Sequence, residues 1–156
     1  MRILWTALLV LMTPGWNQHQ GMNDRRAMAM GFDQENTAHH FLLFPDGGAI
    51  AVAVKDTRDT TDCDAIRTHL AHAAMMFGNG DFDVPMLVHD TKDIPGVAVL
   101  AARKEAVTYR YGDTPGGGRI DIITADPQTL EALHAFLRFQ IREHRTGDPG
   151  TITQRE

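Results

Sequence analysis

His69 and His72 lie three residues apart in Asp62-Cys-Asp-Ala-Ile-Arg-Thr-His-Leu-Ala-His-Ala-Ala-Met-Met-Phe77. On a helix, side chains three and four apart are neighbours, so both imidazoles reach one point beside it. Imidazole nitrogen ligates zinc and copper, and a methionine thioether adds a soft donor that suits Cu(I). Met76 and Asp62 share the stripe of the two histidines and are the next donors along it. Three more histidines stand where strands should end. His39 and His40 open one strand, and His89 closes Met86-Leu-Val-His, with Asp90 behind it as a carboxylate that could ligate or orient the ring. Adjacent strand residues point to opposite faces, so only one of His39 and His40 can look toward the helix, and pattern alone leaves the choice open. The expected ligands are one of His39 and His40 with His69, His72, His89 and Met76, around copper first and zinc second.

Other chemistries lack their signatures. The chain has no Gly-x-Ser-x-Gly elbow, no Gly-x-x-x-x-Gly-Lys-Ser/Thr phosphate loop, no Cys-x-x-Cys and no His-Glu-x-x-His. No nucleotide or organic cofactor is expected. Asp81 and Asp83 beside loop glycines are ordinary turn chemistry. A general base at His69 or His89 would make a hydrolase or lyase, but no nucleophile or substrate pocket is recognisable for either.

The elements that must position these residues read as two copies of a strand–strand–helix unit. In the first, His40-Phe-Leu-Leu-Phe44 meets Pro45-Asp-Gly-Gly48, and Ala49-Ile-Ala-Val-Ala-Val54 returns with strand alternation. A helix from about Asp62 to Phe77 follows, closed by Gly78-Asn-Gly80. Cys63, Ile66, Leu70, Ala73 and Phe77 form its core stripe, which makes Cys63 a buried filler. In the second, Val107–Tyr111 and Arg119–Thr124 flank Gly116-Gly-Gly118, and Asp126-Pro caps a helix that runs to His144. Aligning the closing Gly-Asp pairs sets His69 opposite Phe136 and His72 opposite Phe139, so the first copy alone carries imidazoles on its flank. His134 and His144 fall near the core stripe of the second helix and read as packing or capping groups, His144 at the dipole's negative end. The fold class is α+β: an antiparallel sheet of at least four strands with the helices on one face. Asp83–His89 is expected to add a short strand and Pro95–Lys104 a short helix.

The 156 residues carry a net charge of −5 with pI near 5.9 and no basic run, which argues against nucleic acid or an anionic membrane surface as the main partner. Arg2, the apolar run Ile3–Met12 and Thr13-Pro-Gly15 have the layout of a signal peptide (1–15), too short to span a bilayer. The expected location is therefore periplasmic or extracellular, with no membrane insertion after cleavage. Residues 16–38 read as a flexible tether, and His19, Met22, Met28 and Met30 give it donors for Cu(I). A single α+β domain spans 39–148, and 149–156 reads as a disordered tail. Cys63 is the only cysteine, so no intrachain disulfide forms.

Six stretches carry a resemblance: Met30-Gly-Phe-Asp-Gln-Glu35, His39-His-Phe41, Asp46-Gly-Gly48, Ile66-Arg-Thr-His-Leu70, Pro85-Met-Leu-Val-His-Asp90 and Phe136-Leu-Arg-Phe-Gln-Ile141. Through them the chain resembles small exported bacterial proteins of unestablished function, over about residues 30 to 148. Members of that group are sometimes labelled aspartate carbamoyltransferase. That enzyme's catalytic chain is far longer, with parallel-sheet domains and a Ser-Thr-Arg-Thr phosphate loop that this sequence lacks. The resemblance implies an exported domain, supplies no activity, and groups His39, His40, His69 and His89, but not His72.

The leading expectation is an exported soluble domain that binds a transition metal through this histidine cluster, the methionine-rich arm delivering or guarding the ion. The alternative is a metal-free partner-binding or homodimerising module. Its free sheet face would carry Ala49, Ala51 and Ala53, which suit a covered surface better than open water.

Overall fold

A computed structural model of the chain describes residues 30–155. The expected signal peptide and residues 16–29 of the expected tether, with His19, Met22 and Met28, lie outside the described residues. Two hairpins, β1 (Thr37–Phe44) with β2 (Gly47–Val54) and β3 (Thr108–Thr114) with β4 (Gly117–Ile123), join into one antiparallel sheet of order β1-β2-β4-β3. The helices are α1 (Thr60–Gly78), α2 (Asp83–His89), α3 (Val97–Ala102) and α4 (Pro127–His144), with a 3₁₀ turn at Lys104–Ala106. This is the α+β arrangement of two strand–strand–helix units that the alternation and turn glycines predict.

Local chemistry sets the element ends. Asp59 accepts from the backbone N–H of Asp62 at the start of α1, and Asp126 does the same for Thr129 at α4, where Pro127 supplies the fixed φ of a first helical residue. The register then builds the core from cross-strand rows. Phe41 pairs with Ile50, Ile50 with Ile120, and Ile120 with Tyr111. Ile50, Ile120, Ile66, Leu70, Leu133 and Leu137 are all buried against one another in a single cluster. Each long helix covers the other unit's hairpin: α1 lies mainly on β3 and β4, while α4 lies on β1 and β2. Gly48 allows that approach, because a Cβ there would sit 2.3 Å from Leu137 Cδ1. Buried His134 reinforces it by aiming Nε2 at the carbonyls of Phe44 (3.0 Å) and Gly47 (2.9 Å), so it serves packing. Cys63 is buried in the core.

Three expectations need correction. Asp83–His89 is a helix and not a strand. Pro85 falls in its first turn, where a missing N–H is harmless, and Val88 is buried under it. The folded part starts before His39: Phe32 is buried in the core and Thr37 already pairs with Val54. The segment expected to be a disordered tail instead runs along β1. Thr153 donates its N–H to Leu43 O (2.9 Å), Ile152 bridges Leu43 in parallel, and the Arg155 guanidinium lies 4.4 Å over the Phe44 ring. The physical reason is the open edge of β1, whose carbonyls lack a strand partner. Part of the sheet's outer face is thereby covered: Ala49 is buried, whereas Ala51 and Ala53 are half-buried. Among the described residues, no helix is long and apolar enough to cross a membrane.

Candidate metal centre

The long helices leave a gap over the inner face of the sheet, and α2 lines it from a third side. It holds a cavity of about 80 Å³ whose floor is apolar and whose rim is imidazole. His39 comes from β1, His69 from α1, His89 from α2 and His144 from α4, so four elements each contribute one ring. Met30 and Met76 line the same cavity, and none of its lining residues is acidic or carries a lysine or arginine charge.

The rings form a connected series. His144 lies 5.2 Å from His89 and 5.6 Å from His39, centroid to centroid. The Phe32 ring then links His39, stacked at 6.0 Å, to His69, met edge-on at 5.7 Å. Two imidazoles on one tetrahedral ion, with metal–nitrogen distances near 2.0–2.1 Å, hold their ring centres roughly 5 Å apart. The His89–His144 and His39–His144 separations fall close to that value. Among the described residues, no three His, Cys, Asp or Glu side chains form, as they stand, a group that could hold a metal ion. Two imidazoles with one thioether are a different set, and His39, His89, His144, Met30 and Met76 all line this cavity.

Electrostatics keep one ring ready to ligate. Burial lowers the pKa of His69 from its ordinary value of 6.5 to about 4, and the nearby His72 adds repulsion against the protonated form. His69 is thus neutral at physiological pH, which is the form that binds metal. His89 Nε2 lies 3.0 Å from Gln140 Oε1. Gln140 is 4% exposed, and its amide nitrogen meets no acceptor.

The structure therefore gathers His39, His69, His89 and Met76 and leaves His40 and His72 outside. His39 pairs with Val52, whose side chain faces the helices, so strand alternation turns His40 to the outer face. There its Nδ1 lies 2.9 Å from Asp148 Oδ1. His72 is exposed on α1. At about 100° per residue, it sits roughly 60° further round the helix than His69, away from the core stripe. Residue types alone did not single out His144 and Gln140, whereas Met30, expected as a donor of the tether, lines the cavity itself. The available signal was on α4, where Gln140 and His144 continue the Leu133–Leu137 stripe in three- and four-residue steps and put polar groups on a core face. His69 and Phe136, set opposite each other by the duplication, do line the same cavity, one from each long helix.

Comparison with family models, with curated proteins and with solved structures gives no match for this chain.

Proposed function

We propose that this protein binds a soft transition metal ion, copper(I) ahead of zinc, at the rim of the histidine–methionine cavity. One observation carries the reading: four imidazoles from four elements and two thioethers line a single cavity that has no carboxylate. Nitrogen and thioether donors favour Cu(I), whereas calcium, magnesium and manganese favour the oxygen donors this cavity lacks. His144 with either His39 or His89 supplies the nitrogen donors, and Met30 or Met76, which line the same cavity, the sulfur. His69 extends the set on the far side of Phe32. The role is metal handling, and the export expected from residues 1–15 would put it outside the cytoplasm.

X-ray absorption on copper(I)-loaded, desalted protein tests this. The reading expects near-stoichiometric copper with both nitrogen and sulfur scatterers in the first shell. Copper lost on desalting, or a shell of oxygen alone, would refute it.

The metal-free dimerising module is the weaker reading. The face it would use is already partly covered by residues 152–155.

A further inference from the structure

Two cavities meet at the same pair of rings. His39 and His144 line the apolar cavity and also a polar one of about 370 Å³, whose walls include Gln34, His40, Lys55 and Thr146. Both rings stand where the apolar and the polar cavity adjoin. Behind them stand Phe41, Ile50, Val52, Ile120 and Phe136, all buried. An ion held at the rim has one hemisphere turned to carbon.

Three facts define what could occupy that hemisphere. Its volume, about 80 Å³, is roughly half of the ~150 Å³ that admits benzene in an apolar cavity, which leaves room for a few heavy atoms. Its apolar walls penalise an unpaired anion. It still contains one polar group in need of a partner, since Gln140 commits Oε1 to His89 and its amide nitrogen meets no acceptor. Leaving such a buried donor unmet is costly, so a ligand atom that accepts from it is favoured.

We infer, resting on the metal reading above, that the bound ion keeps an open coordination position on its chamber side and takes there a small neutral molecule. The ligand class is a diatomic or similarly small molecule with one donor atom for the ion and one acceptor for the Gln140 amide. Carbon monoxide is the probe of choice, because it binds copper(I) and its stretching frequency reports its surroundings.

The experiment measures copper content, then the infrared band of carbon monoxide on copper(I)-loaded protein, for wild type, Ala73→Leu and Gln140→Leu. Saturable ¹²⁹Xe shifts on the metal-free wild type test the chamber with no variant at all. The inference expects a carbon monoxide band in wild type, its loss or shift when Ala73→Leu fills the chamber, a move to higher frequency in Gln140→Leu, and saturable xenon binding. Copper retained with no band, with a band identical in all three proteins, or with no xenon binding would overturn the inference and leave metal binding standing. Copper not retained by wild type would overturn the metal reading, and this inference with it.

Discussion

His89 and Gln140 are joined through Nε2 and Oε1 at 3.0 Å, and this contact fixes the chemistry of the ring. An amide oxygen only accepts, so His89 donates from Nε2 and keeps its lone pair on Nδ1. Gln140 is buried on α4 and His89 ends α2, so one hydrogen bond sets both the tautomer and the aim of a ring from a seven-residue helix. Partners of this kind typically contribute 10–100-fold to metal affinity. Gln140→Leu keeps the shape and removes the contact. Copper(I) affinity should fall by about 10–100-fold, measured by competition with a calibrated chelator. An unchanged affinity would show that His89 needs no such support.

Acid should weaken the metal-free protein through His69. Its folded pKa is lowered from 6.5 to about 4 by burial, with repulsion from His72 second. Above the unfolded value both states leave the ring neutral, so it contributes no pH dependence there. As pH falls from 6.5 toward 4 the unfolded chain takes a proton that the native ring refuses, and stability declines by up to about 3 kcal/mol. Urea unfolding at pH 7 and pH 4.5 should therefore show a smaller acid loss in His69→Leu than in wild type. Equal losses would mean that the native ring titrates normally.

Asp148 holds the end of the domain to β1. Its carboxylate accepts from the Phe41 N–H (2.9 Å) and from Thr146 Oγ1 (2.6 Å), and lies 2.9 Å from His40 Nδ1. Burial alone would raise its pKa, but the hydrogen bonds from Thr146, His40 and Phe41 outweigh that and lower it. Asp148→Ala strands a backbone N–H and should cost about 2–3 kcal/mol in equilibrium unfolding. With the folded pKa depressed, the stabilisation is present above the unfolded value and disappears as pH falls through the folded one. A cost under about 0.5 kcal/mol would show that water replaces the carboxylate.

Removing residues 149–156 should uncover the β1 edge. Lost with them are the Arg155 stack on Phe44, its ion pairs with Asp46 (3.2 Å) and Asp121 (2.7 Å), and the Thr153 bond to Leu43. The ion pairs are partly exposed and contribute little, so the expected destabilisation is about 1–2 kcal/mol. The larger effect is on association, because an open strand edge recruits further strands. Light scattering should show concentration-dependent self-association in the truncated chain and not in the full one. The reverse result would make the segment itself the dimerising element.

The fold was legible where period and punctuation agree. Ile50 and Val52 alternate behind a double glycine, and Cys63, Ile66, Leu70 and Phe77 repeat on one helical face. Both patterns gave the right element on the right side. Asp83–His89 was not legible, because seven residues with a proline satisfy a short strand and a short helix equally. The site was half legible. His69, His89 and Met76, named for ligand type and spacing, do line the cavity. The choice between His39 and His40 needed the register of β1 on β2, which no local pattern contains. His72 shares the spacing of a ligand, yet lies too far round α1 to face the cavity. His144 was hidden by its place at a helix end, where a histidine has a ready explanation as a partner for the helix dipole.

The central claim concerns location as well as residue type, so the deciding measurement is copper(I) affinity in two double variants that each remove two imidazoles. His39→Ala/His144→Ala takes two of the four rings from the cavity rim, and His40→Ala/His72→Ala takes two rings from outside it. The account predicts at least a hundredfold loss in the first and a change of less than about threefold in the second, with copper retained at one ion per chain. Equal losses in both variants, or none in either, would contradict it.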